Sequence, residues 1–70
     1  MMTFGEAVEA LIEDRKVARA GWNGKGMYVY LVCAAGFEPA MYLHTAMGTE
    51  QPGWNASTPD VLARDWMVLP

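Results

Sequence analysis

Lys16-Val17-Ala18-Arg19-Ala20-Gly21-Trp22-Asn23-Gly24-Lys25-Gly26-Met27-Tyr28-Val29-Tyr30-Leu31-Val32-Cys33 is the stretch whose reading decides the fold. Asn-Gly supplies positive φ at low steric cost, which a tight hairpin turn requires. The stretch therefore reads as two antiparallel strands, Lys16 to Trp22 and Met27 to Cys33. Alternation puts Met27, Val29, Leu31 and Cys33 on one face of the second strand and Tyr28, Tyr30 and Val32 on the other. With apolar or aromatic residues on both sides, both faces are expected to be at least partly covered.

Toward the N-terminus, Phe4, Ala7, Val8, Leu11 and Ile12 recur at the spacing of one helical stripe, with Glu6, Glu9 and Glu13 opposite. Thr3 and Glu6 match a capping box, in which hydroxyl and carboxylate each satisfy a free backbone donor at the helix start. Asp14-Arg15-Lys16 breaks the apolar pattern and turns the chain. Toward the C-terminus, Ala34-Ala35-Gly36 is a turn, and a third strand from Ala40 to Thr45 sets Met41 and Leu43 opposite Tyr42 and His44. Ala46 to Gly53 reads as a loop. Thr58-Pro59-Asp60 reads as N-cap, first-turn proline and dipole-matching acid for one helical turn through Ala63. Trp66 to Leu69 closes the chain as a strand. The predicted fold is α+β: an N-terminal helix packed on a small antiparallel sheet of about four strands, with a short helical turn before the last strand.

A chain of 70 residues leaves room for a single domain, 1–70, near the lower limit for a self-sufficient core. Small domains of this kind often lean on oligomerisation, and 53% apolar residues is more than the monomer is expected to hide. The lone Cys33 rules out an intramolecular disulfide framework. No apolar run approaches a membrane span, and the first residues lack a signal-peptide layout, so no membrane is expected. A net charge of −3 argues against long nucleic acid, which is bound through broad basic surfaces. The few cations are uneven: Arg15, Lys16, Arg19 and Lys25 lie close together, enough to hold one small anion.

Enzyme chemistry has little to start from. One His and one Cys give no metal site, and the strand register sets His44 and Cys33 on unlike faces, against a base–nucleophile pair. Asp60 and Asp65 read equally as a carboxylate pair or as a helix-dipole partner and a turn acceptor. No catalytic residue, metal or cofactor is expected. Arg19 to Met27 is more suggestive, placing a flat ring, an amide, an ammonium and several backbone N–H groups within one turn. Those are the parts of a nucleotide site. They are equally the parts of a well-formed hairpin with Trp22 in the core, and Trp54 and Trp66 share that ambiguity between packing and pocket.

Phe4-Gly5-Glu6-Ala7, Val17 to Met27, and Trp54-Asn55-Ala56-Ser57-Thr58-Pro59-Asp60-Val61-Leu62-Ala63-Arg64-Asp65-Trp66 together resemble the opening and closing patterns of the Thoeris anti-defence type two family. The resemblance spans nearly the whole chain. It implies a phage protein working in the host bacterial cytoplasm, a homotetramer built as a dimer of dimers with ligand pockets between subunits, and binding of glyco-cyclic ADP-ribose without cleavage. Cyclic dinucleotides, the signals of CBASS defence, are a further implied ligand. Carried over by position, Trp22 stacks on a base, and Asn23, Gly24 and Lys25 meet ring edge, ribose or phosphate. Arg19 and Arg64 offer positive charge, Asp65 accepts from an amine or hydroxyl, and Phe4 adds an apolar wall. Many relatives carry longer central loops than Ala34–Pro39 and Ala46–Gly53, and loops of this kind often set ligand choice. The competing expectation is a phage or prophage protein–protein interaction module with no nucleotide ligand.

Overall fold

The computed structural model describes residues 1–22 and 25–70. The elements run α1 (Phe4–Ile12), β1 (Val17–Arg19), β2 (Tyr28–Val32), β3 (Ala40–His44), β4 (Glu50–Pro52), α2 (Thr58–Leu62) and β5 (Trp66–Val68). The predicted class holds, with a helix on an antiparallel sheet and a short helix before the last strand. The sheet has five strands instead of about four, in the order β4-β3-β2-β1-β5. The Asn23-Gly24 turn lies outside the described residues.

The capping box at α1 is formed in both directions, with Thr3 N donating to Glu6 Oε1 (3.0 Å) and Glu6 N donating to Thr3 Oγ1 (3.3 Å). At the far end Arg15 N donates to the Ala10 carbonyl and Asp14 N to the Leu11 carbonyl. This is the pair of closing bonds of a Schellman motif. It needs a left-handed residue after the cap, and Asp14 takes that role at φ 65°, which a short polar side chain tolerates. Thus the break read at Asp14-Arg15-Lys16 is a built helix stop. Ala7, Ala10 and Leu11 are the residues α1 buries.

Register explains which sheet residues meet them. Val17 pairs with Val29 and Val29 with Leu43, so the three share the helix-side face, and all are buried. Trp66 joins them from β5 and is fully buried. On the opposite face Tyr28 lies beside His44 and Tyr30 beside Tyr42, all half-buried. Cys33 is exposed just beyond the end of β2, while His44 sits at the other end of the β2–β3 ladder.

Of the boundaries that differ from the sequence reading, three have an evident physical reason. Ala46–Gly53 is not all loop: after a turn closed by Thr45 N to the Thr49 carbonyl (2.9 Å), with Gly48 at φ 83°, Glu50–Pro52 pairs with β3. Glu50, Gln51 and Pro52 are all exposed, so no hydrophobic alternation marks them, and a proline is tolerated on an edge strand. β1 ends at Arg19, short of Trp22, because from Ala20 onward the backbone bonds to Asp65 and turns. The N-cap of α2 is Ser57, one residue before Thr58, because Asp60 stands three residues after Ser57 and completes a capping box with it.

Candidate functional site

Beyond β1 the chain leaves the sheet at Ala20, and what holds it is a cluster of charge. The Arg19 guanidinium donates Nε to Asp65 Oδ1 (2.8 Å) and Nη1 to Asp60 Oδ1 (2.9 Å). Asp65 Oδ2 also accepts the Gly21 amide at 2.8 Å. A Cβ on Gly21 would lie 2.9 Å from that same oxygen, closer than real Cβ contacts come, so any larger residue here would push the Asp65 carboxylate aside. Asp60 Oδ1 takes a second donor, Trp22 Nε1 at 3.2 Å, while its Oδ2 accepts from Ser57 N and Oγ. The backbone carbonyl of Asp60 accepts Trp66 Nε1 at 2.9 Å.

Two carboxylates around one guanidinium leave the cluster one negative charge in excess. Arg19 is held above its ordinary pKa by its bonds to Asp65 and Asp60. Asp65 is held below the usual carboxylate range by Arg19, helped by the Gly21 amide. Burial alone would push Asp60 up, but the bonds from Arg19, Ser57 and Trp22 outweigh it and hold the carboxyl down.

In front of this cluster lies an open hollow of about 270 Å³. Ala18, Arg19 and Ala20 form one side, Trp22 and Lys25 to Met27 the hairpin side, and Met67 and Leu69 the β5 side. Trp22 stands edge-on to Trp66 (centroids 5.4 Å) and to Trp54 (6.1 Å). Its ring thus packs on the core and also lines the hollow. Lys25 is exposed and, among the described residues, forms no ion pair.

The eight residues singled out in the sequence are therefore unevenly placed. Arg19, Trp22 and Lys25 line the hollow, and Asp65 stands behind it, bonded to Arg19 and Gly21. Phe4 packs on Trp66 with centroids 5.5 Å apart, on the core side. Arg64 is exposed, and neither it nor Phe4 lines the hollow. Asn23 and Gly24 lie outside the described residues. Asp60, read only as a local cap or a possible partner of Asp65, turns out to join Arg19, Trp22, Ser57 and Trp66. The Ser57-to-Asp60 spacing announced the cap, but nothing local announces a bond to a guanidinium 41 positions away.

Elsewhere, a second hollow of about 300 Å³ lies between the end of α1 and β2, at Leu11, Ile12, Asp14, Leu31 and Cys33. On the open sheet face Glu50 bonds both the Tyr30 hydroxyl (2.7 Å) and His44 Nδ1, and His44 stacks on Tyr28 at 4.5 Å. The Glu50 carboxylate pushes the Tyr30 phenol up to about 12 and is itself lowered by that phenol. Among the described residues no group of three or more His, Cys, Asp or Glu side chains is placed to hold a metal ion. Among them, too, no helix is long and apolar enough to cross a membrane.

Compared with known proteins, residues 2–69 match the model of the Tad2-like family, a Thoeris anti-defense 2-like domain. Thoeris anti-defense 2 of Bacillus phage SP01 is 35% identical, over an alignment covering 97% of this chain and 94% of the relative. That alignment runs over 85 positions, longer than the 70 residues here, so the relative carries residues this chain lacks.

Proposed function

We infer, from the premise that this chain belongs to the Thoeris anti-defense 2-like family, that it is an anti-defence protein that sequesters a cyclic nucleotide immune signal without cleaving it. The anti-defence role follows the family; the mechanism is our reading of the site. One observation carries it: an aromatic wall, Trp22, and an uncommitted ammonium, Lys25, flank one open hollow. Such a site offers a stacking surface to a base and a charge to a phosphate. The ligand class is glyco-cyclic ADP-ribose or a cyclic dinucleotide, retained in the host bacterial cytoplasm.

The hollow's size supports a shared pocket. At about 270 Å³ it falls below the roughly 300–1,000 Å³ that enclose small organic ligands. A second copy closing over it would complete the enclosure, in line with a homotetramer arranged as a dimer of dimers. Enclosure would also supply tight binding, because it desolvates rings and phosphates together.

Hydrolysis would need a nucleophile or an activated water, and among the described residues near the hollow the carboxylates of Asp60 and Asp65 are paired with Arg19, which supports binding without cleavage. Thermal unfolding with glyco-cyclic ADP-ribose isomers and cyclic dinucleotides tests the reading, since a ligand that binds only the native state raises the melting temperature. A rise with one of them is expected. A flat response to all would sink the nucleotide reading in favour of a protein–protein interaction module.

A further inference from the structure

Asp60 does not line the hollow, yet its carboxylate is divided in a way that a helix cap does not require. Oδ2 serves the cap, accepting from Ser57 N and Oγ. Oδ1 faces away from α2 and accepts from Arg19 Nη1 and Trp22 Nε1, donors that belong to two walls of the hollow. The residue is about nine-tenths buried, so little of its carboxylate is left to water. The Trp22 ring also packs edge-on with Trp54 and Trp66 and against the core cluster, contacts that hold the ring in place without engaging its N–H. The indole N–H bond turns the nitrogen edge of the ring toward Asp60.

We propose that Asp60 is the positioning residue of the site, holding Trp22 and Arg19 in the arrangement that a ligand's base meets. This rests on the nucleotide-sequestration reading above. A wall already fixed loses no rotamer freedom when the ligand arrives, so affinity depends on a residue that never touches it.

A double-mutant cycle on ligand affinity tests this, with Asp60→Asn and Trp22→Phe singly and together. The probe is whichever glyco-cyclic ADP-ribose isomer or cyclic dinucleotide the wild type binds. Phe keeps a ring but has no N–H; Asn keeps the shape but loses the charge and one acceptor. Each single variant is expected to weaken binding on the order of tenfold, as loss of a bond to a charged acceptor does. The pair is expected to lose less than the product of the two single losses, because the bond from the indole to Asp60 is removed in both. Thr3→Ala, which loosens the cap of α1 away from the hollow, should lower the melting temperature and leave the dissociation constant unchanged. Losses that multiply in the double variant, or an Asp60→Asn variant that behaves like Thr3→Ala, overturn the proposal. If Asp60→Asn fails to fold, Trp22→Phe decides alone, and unchanged affinity there overturns it. A wild type that binds none of the probes defeats the sequestration reading and this inference with it, whereas a binding wild type with additive losses defeats the inference only.

Discussion

Gly21 and its neighbour Asp65 show how a single missing methyl group sets the geometry. The amide reaches Asp65 Oδ2 at 2.8 Å where a Cβ would stand 2.9 Å from the same oxygen and displace it. Gly21→Ala should therefore lower the melting temperature, and the Asp65→Ala background should shrink that loss, because both changes act on one contact. Acid should act on the same cluster. The folded-state pKa values of Asp60 and Asp65 lie below their unfolded values, so in acid the unfolded chain binds more protons. The stabilisation is complete above the unfolded carboxylate range near about pH 4 and is lost as pH falls through the lower folded values. Melting temperatures read from pH 6 down to pH 2 should fall in the wild type and fall less in Asp65→Asn. Tyr30 works in the opposite direction, since its folded pKa is raised to about 12 from an ordinary 10. Its contribution is complete below about pH 10 and disappears as pH rises toward 12. Tyr30→Phe should remove that part of the alkaline decline in melting temperature.

Helix ends and strand edges were unequally legible. Thr3 and Glu6 spelled the start of α1 and the structure forms both bonds of that box. The same logic, applied one residue late at Thr58, missed Ser57 although Asp60 was already recognised as an acid in the first turn. β4 was invisible for a different reason: an exposed edge strand of Glu50, Gln51 and Pro52 has no face to bury, so no period of two appears. The aromatic hairpin strand β2 was readable because Val29 must reach the core while Tyr28 and Tyr30 cannot. Of the site, the wall residues were readable as a local motif. Their anchoring was not, because it runs through Asp60 and Asp65 from the far end of the chain. The two caps give a comparison at this level. Thr3→Ala and Ser57→Ala should each cost about 1 kcal/mol, or roughly 4–8 °C in a domain of this size. Leu11→Ala should cost about 2–5 kcal/mol, since it opens a cavity beneath α1.

As a whole the molecule has a small core. Ala7, Ala10, Leu11, Val17, Val29, Leu43 and Trp66 make up its buried cluster, while Ile12, Phe37, Met47 and Leu62 remain largely exposed. Such a chain gains from a partner, and a hollow open on one side gains from being closed by one. If copies of the chain cover that hollow, the melting temperature should rise with protein concentration, and ligand should strengthen the assembly, because both equilibria draw on the same closed state. Light scattering on a size-exclusion column, with and without ligand, reads both effects. The measurement that bears most directly on sequestration is retention followed by release. The purified protein is incubated with glyco-cyclic ADP-ribose isomers and cyclic dinucleotides, free compound is filtered away, and the protein is denatured by heat so that what it held can be identified by mass. One compound is expected to be retained and recovered intact; recovery of a converted product, or retention of none, would contradict sequestration.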